Sequence, residues 1–224
     1  PNKTIIRSVF IDGDRIYCGS YKEFGYWKRL DGKMQYFSLS KDQSIFTGES
    51  NNEEVWKIFK LNNKIYFQTF NEVYIVSEKN KIETLRFPSQ ISYCYLIDNE
   101  IYVATVKNGI YVMKDKKFIH KENWDAINYN VIHHVEKHNG EVYIFTKHNG
   151  VFKVVDDKLF VWNHPLNNVL KYEVLVSAKF VGKNILAIGS GLQGIYIINL
   201  DDGSYKNINR QNALKNNCDD ATAN

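Results

Sequence analysis

Four histidines lie close together in the middle of this 224-residue chain: His133, His134, His138 and His148. Imidazole is a common metal ligand and a general base near neutral pH, so metal or acid–base chemistry is the first reading of such a group. Residues 131–137 read as a strand, which sends His133 and His134 to opposite faces, while His138 falls in the turn His-Asn-Gly. No metal site is expected from that arrangement. Glycoside hydrolysis needs two carboxylates roughly 5–10 Å apart across a cleft. Here Glu23, Glu53 and Glu72 would have to meet from different parts of the chain, and nothing in their spacing pairs them. Asp156-Asp157 and Asp201-Asp202 follow strands at the place where Asp31-Gly32 and Asp115-Lys116 stand elsewhere, so they read as turn residues. Gly189, Gly191 and Gly194 match the dinucleotide spacing G-x-G-x-x-G. They lead into the strand IYIINL, however, and without a helix N-terminus phosphate binding has no physical basis. Cys18, Cys94 and Cys218 are odd in number and widely spaced, which indicates neither a disulfide framework nor a redox pair. No nucleophile elbow or P-loop is present, and no catalytic residue, cofactor or metal is expected.

Surface recognition remains. The polar loops carry Tyr21, Lys22, Glu23 and Phe24, then Asn108, then His148, and a further aromatic segment holds Trp124, Tyr129 and Asn130. Amide, charged and aromatic side chains suit sugar hydroxyls and pyranose faces by hydrogen bonding and stacking. These nine residues form the candidate ligand-binding set. Trp27, Trp56 and Trp162 are assigned to the core.

The elements that must position them come from a repeat. Residues 16–27 (IYCGSYKEFGYW), 65–74 (IYFQTFNEVY), 101–111 (IYVATVKNGIY), 142–152 (VYIFTKHNGVF) and 186–196 (LAIGSGLQGIY) share one form. An apolar start and alternating apolar positions lead to a hydroxyl residue, a polar turn, usually a Gly, and a second apolar run. The hydroxyls are Ser20, Thr69, Thr105, Thr146 and Ser190. At the second repeat Val73 replaces the Gly, so that turn must be built differently. Each unit reads strand–turn–strand–turn–strand–turn–strand, with Asp-Gly, Asn-Gly or Asn-Asn turns that need positive φ. Four antiparallel strands per 40–45 residues is the pattern of a β-propeller blade. A β-solenoid has shorter repeats with fewer hairpins, and a β-sandwich has fewer strands with unequal loops. The fold class is therefore all-β: about five four-stranded propeller blades at roughly 5–40, 53–88, 91–122, 131–165 and 174–206, then a polar tail over 207–224. In a propeller the loops between second and third strands and the segments leading into first strands share one face, where the candidate set falls.

Composition agrees. Seven Ala beside 15 Tyr, 13 Phe and 25 Asn favour pleated strands and tight turns over helices. A net charge of +4 without a basic run gives no nucleic-acid footprint. No apolar stretch approaches the roughly 20 residues needed to span a bilayer.

The first repeat, Arg15–Arg29, resembles the "IYIGSYxEFGYW" blade of large regulators of Bacteroidetes-type bacteria, and the repeats at Gly109–Tyr111, Gly150–Phe152 and Gly194–Tyr196 are similar to that family's shorter blade motif. The resemblance covers about residues 5–210. It implies the ligand-binding sensor propeller of a hybrid two-component or triple-tyrosine transcriptional regulator, exposed to the periplasm and sensing a carbohydrate or nutrient-derived ligand. The implied partners are that ligand, the remaining blades and the triple-tyrosine domain of the same protein, and a second copy in a homodimer, with no nucleic acid bound by this segment. The family's propellers have more than five blades, and the chain lacks an initiator Met and a signal peptide, so a fragment of a larger propeller is expected. The alternatives are a propeller carbohydrate-active enzyme (a glycosidase or lyase) and an intracellular protein-interaction propeller.

Overall fold

The computed structural model describes residues 4–41, 43–127 and 129–212. Every sheet among the described residues is a four-stranded antiparallel meander in which sequence neighbours are spatial neighbours. Sheet 1 holds β1 (Ser8–Asp12), β2 (Arg15–Ser20), β3 (Glu23–Leu30) and β4 (Lys33–Ser38), and sheet 2 holds β5 (Lys57–Leu61), β6 (Lys64–Gln68), β7 (Glu72–Val76) and β8 (Ile82–Arg86). Sheet 3 holds β9 (Ile91–Ile97), β10 (Glu100–Thr105), β11 (Ile110–Lys114) and β12 (Lys117–His120). Sheet 4 holds β13 (Ile132–His138), β14 (Glu141–Thr146), β15 (Val151–Val155) and β16 (Lys158–Val161), and sheet 5 holds β17 (Leu175–Val181), β18 (Ile185–Ser190), β19 (Gly194–Asn199) and β20 (Tyr205–Ile208). The chain is thus all-β and built of five propeller blades. β20 runs past residue 206 into the stretch read as a polar tail, and from residue 213 onward that stretch lies outside the described residues. Two compact units are separable, Pro1–His120 with sheets 1–3 and Lys121–Asn224 with sheets 4–5.

The hairpins follow from turn chemistry. Asn62-Asn63, Asp98-Asn99, Asp115-Lys116 and Asp156-Asp157 all have positive φ at both residues, as do Asp31-Gly32 and Asn139-Gly140. Such turns match the right-handed twist of the strands they join, and Asn, Asp and Gly reach them at least cost. The Asp pairs are therefore turn residues. Each repeat hydroxyl spans the next turn: Thr105 Oγ1 donates to the Gly109 carbonyl at 2.9 Å and Thr146 Oγ1 to the Gly150 carbonyl at 2.8 Å. At the repeat without Gly the turn is one residue tighter, and Thr69 N–H and Oγ1 both donate to the Glu72 carbonyl.

Alternation along the strands sorts the core. In the first unit, Tyr17, Phe24 and Tyr26 of sheet 1 pack on Ile65, Phe67 and Tyr74 of sheet 2, and Phe59 and Tyr66 of sheet 2 pack on Ile101 and Val103 of sheet 3. In the second unit, Tyr143 and Phe145 pack on Leu186 and Ile188, closed off by Trp162, Leu166 and Leu170. One rule runs through all three contacts. The third residue of the second strand, Tyr17, Tyr66 or Tyr143, faces the following sheet, and the residues at second and fourth positions, Ile65 and Phe67, Ile101 and Val103, or Leu186 and Ile188, face the preceding one. Of the tryptophans assigned to the core, Trp162 is buried, whereas Trp27 and Trp56 are half-buried.

Main-chain hydrogen bonds stitch adjacent sheets at one end. Val55 N–H donates to the Ser20 carbonyl, Ile91 N–H to the Phe70 carbonyl and Leu175 N–H to the Lys147 carbonyl, each joining a lead-in segment to the 2–3 loop of the preceding sheet. The same segments also bond the 2–3 loop of their own sheet, as in Val106 N–H to Gln90 O at 3.0 Å and Gly191 N–H to Val174 O at 2.8 Å.

Candidate functional site

The candidate residues lie at this stitched end, but in separate groups and with two exceptions. Phe24 is fully buried, its ring stacked 4.3 Å from Phe67 and 5.3 Å from Tyr74. Trp124 is also interior, with Ile127, in a 3-10 turn over Glu122–Ile127. Both leave the surface set, because neither offers a ring face to solvent. Each had a sequence signal: Phe24 alternates with Tyr26 on one strand face, and Trp124 and Ile127 stand three apart, which eclipses them on a 3-10 turn. Glu23 opens β3 and turns back onto its own sheet, accepting from Tyr36 OH at 2.9 Å and Ser38 Oγ at 2.7 Å. Burial, and then the Glu23 charge, push the Tyr36 phenol well above its ordinary value.

In the first unit, Tyr21 and Lys22 form an exposed patch with the segment before β5. Tyr21 OH donates to Asn52 Oδ1 at 3.1 Å and Lys22 Nζ to Asn51 Oδ1 at 2.6 Å. Two buried carboxylates clamp that segment down. Glu53 accepts from Phe70 N–H at 2.8 Å and Asn71 Nδ2 at 2.5 Å, and Glu72 accepts from Ser50 Oγ at 2.7 Å and from Tyr74 OH. All three carboxylates weighed for catalysis are thus held by donors of their own surroundings. Asn108 stands on the loop of sheet 3, its Nδ2 donating to Ser89 Oγ at 3.3 Å.

The second unit gathers Tyr129, Asn130 and His148. Tyr129 is 81% exposed at φ 67°, His148 is exposed, and Asn130 Oδ1 accepts from Asn149 Nδ2. Asn149 N–H donates to the Lys171 carbonyl at 3.2 Å, which brings in residues outside the nine-residue candidate set. Lys171 Nζ lies 5.1 Å from the ring centroid of Tyr172, itself 81% exposed. An open groove of about 970 Å³ runs here, lined by Asn149, Trp162, His164, Asn168, Lys171 and Tyr172. The Asn-rich stretch Asn163–Asn168 between two strands was the available signal for it.

The groove is rigidly built. Asn167 Oδ1 accepts from Val151 N–H at 2.8 Å, and its Nδ2 donates at 3.0 Å to the carbonyls of Val151 and of Trp162. Gly150, at φ +75°, makes room for it, since a Cβ there would lie 2.4 Å from Asn167 Oδ1. Leu166 and Leu170 anchor the one-turn helix Asn167–Leu170 from below. His164 stacks on Trp162 at 4.4 Å, and its Nδ1 accepts from Leu166 N–H, leaving the proton of the neutral ring on Nε2. Burial lowers the His164 pKa, which favours that neutral form.

The histidines are dispersed. His133 sits beside a bulge in β13, where burial and then the Lys147 charge lower its pKa. His134 pairs with Glu136 at 3.1 Å. His138 belongs to the strand rather than the turn, and it stacks 4.0 Å from Phe180 while its Nε2 meets the Lys183 carbonyl at 2.7 Å. Among the described residues no three His, Cys, Asp or Glu side chains gather in a way that could hold a metal ion. Cys18 and Cys94 are buried free thiols; Cys218 lies outside the described residues. Among the described residues no helix is long and apolar enough to cross a membrane.

No family model and no curated protein sequence matches the chain. Its fold matches solved structures. The extracellular domain described as that of a hybrid two-component system of B. thetaiotaomicron superposes with a TM-score of 0.68 at 16% identity, over 93% of this chain and 28% of that one. The WD40 β-propeller domain of Doa1 gives 0.63 at 11% identity, over 92% of this chain and 68% of that one. YCF48 bound to D1 peptide gives 0.65 at 10% identity, over 91% and 66%. The chain therefore spans little more than a quarter of the length of the sensor domain it is similar to. These identities establish a shared propeller fold.

Proposed function

We propose that the chain is a non-enzymatic sensor module of a membrane-bound signal-transduction regulator, exposed outside the cytoplasmic membrane, and that it binds a saccharide at the stitched end of its blades. The groove of the second unit carries this reading, with exposed Tyr172 offering a ring face beside the amides of Asn149 and Asn168. Ring faces stack on pyranose C–H surfaces, and amides both donate to and accept from hydroxyls. The fold shared with an extracellular sensor domain supports the setting. The internal hydrogen bonding of Glu23, Glu53 and Glu72 weighs against a glycosidase or lyase. Further blades and a triple-tyrosine domain of the same protein are the proposed neighbours, with a second copy as the signalling partner. Binding would be passed on as a shift in how these parts are arranged.

Thermal unfolding against an oligosaccharide panel tests this. A saccharide at a hundred times its Kd adds about 2.7 kcal/mol of stability, and Tyr172→Ala weakens binding about three- to tenfold, the worth of one aromatic contact. Polysaccharide turnover that disappears in Glu53→Gln would overturn the non-enzymatic reading.

A further inference from the structure

We propose that the groove of the second unit selects an acidic saccharide, its sugar ring stacked on Tyr172 and its carboxylate held by Lys171. This rests on the saccharide reading above and adds the charge of the ligand. On the two segments that border the groove, 147–150 and 161–174, the fully charged side chains are Lys147, Lys171 and Glu173, with His148 and His164 beside them. The single carboxylate is turned away, since Glu173 accepts from Ser190 Oγ at 2.9 Å on the next loop. Several lysines elsewhere are tied to carboxylates: Lys60 to Asp12 at 2.8 Å, Lys114 to Glu100 at 2.8 Å and Lys179 to Glu136 at 2.6 Å. Among the described residues Lys171 makes no such pair. Its ammonium has the Tyr172 ring at 5.1 Å and Asn168 Oδ1 at the long distance of 3.5 Å.

The geometry suits a hexuronate. Its carboxylate is carried on the ring itself, so a side chain that stacks with the ring and a cation next to that side chain meet one residue of ligand together. Tyr172 and Lys171 are such a pair. Asn149 Oδ1 and Asn168 Nδ2, the amide atoms outside the contacts to Asn130 and Lys171, are left for the ring hydroxyls, and Asn167 holds the wall that carries them. A charge-assisted bond in a partly dehydrated groove is stronger than a neutral one and weakens with salt.

The test titrates the whole chain with a hexuronate trisaccharide and with its carboxyl-reduced, neutral counterpart, by calorimetry at low and at 0.5 M salt (~3–4 Å screening length). The acidic sugar should bind about tenfold or more tightly than the neutral one and lose that advantage at high salt. Lys171→Gln should remove the advantage with unchanged melting temperature, and Tyr172→Ala should weaken both sugars. Equal binding of the two trisaccharides overturns the charge selection and leaves the saccharide sensor standing. So does binding of a neutral saccharide alone. If no saccharide of either kind binds at any accessible concentration, this inference and the proposed function both fall.

Discussion

Asn167 closes three hydrogen bonds around the edge of β15 with one buried amide, and no other residue type supplies an acceptor and two donors in that shape. Asn167→Ala leaves the buried Val151 N–H unmatched and takes one of two donors from each of the Val151 and Trp162 carbonyls, and about 1–3 kcal/mol, the cost of one unmatched buried group, should be lost in urea unfolding. Gly150→Ala should fail in the same place, because positive φ and the Asn167 oxygen both oppose a Cβ. Acid should act through His133. Its folded pKa lies below the ordinary 6.5, so the unfolded chain takes up the proton first. Stability is then complete above the ordinary histidine range and falls as pH drops from there toward the depressed value. His133→Gln should flatten that slope between pH 7.5 and 5.5, as read from urea midpoints (histidine titrates near ~6.5). Glu136 acts lower. Burial alone would raise its pKa, yet hydrogen bonds from Lys179 and His134 hold it below 4.5, so its contribution is present above that range and is lost as pH falls through it. Individual residues were the least legible part of the sequence. Tyr21, Tyr129 and His148 are exposed and Lys22 is half-buried, but Phe24 and Trp124 are loop-adjacent aromatics whose spacing to Tyr26 and Ile127 mattered more than their neighbours' polarity.

Strands and hairpins were legible because two-residue turns of Asn, Asp and Gly leave little choice of geometry. The connections between sheets were not. The long segment between β4 and β5 carries no periodicity, yet Phe46 packs edge-on against Phe24 and Tyr74 while Ser50 and Glu53 reach the next sheet. Its order is set by partners far along the chain, which local pattern does not record. Glu53→Gln replaces an acceptor facing two donors with an amide that matches only one. A loss of about 1–3 kcal/mol is expected, with faster amide exchange at Phe70 as the local reading. The groove of the second unit was hidden for the same reason: Asn149 belongs to one connection and Asn168 and Tyr172 to another, and the two meet where Leu166 and Leu170 pin the second to the core.

Within each unit the sheets obey one packing rule, and sheets 1 and 5 each carry a face with exposed apolar side chains. On sheet 1, Val9 and Ile11 are 57% and 67% exposed beside Ile16, at the face whose counterparts Ile65, Ile101 and Leu186 are packed. On sheet 5, Val181 and Ile195 stand exposed on the opposite kind of face. Replacing Val9 and Ile11 together by Ser should reduce self-association in light scattering while changing stability by less than about 1 kcal/mol, as exposed substitutions do. The rule itself has a further consequence. Because neighbouring sheets within a unit meet through the same two alternating sets of side chains, and are tied by the same kind of main-chain bond, a blade is an interchangeable part. A gene that duplicates or deletes one such segment between two lead-ins hands its neighbours a surface they already fit. The number of blades can therefore change in evolution without a new core being invented, and chain length becomes a variable of this architecture rather than a constant of it.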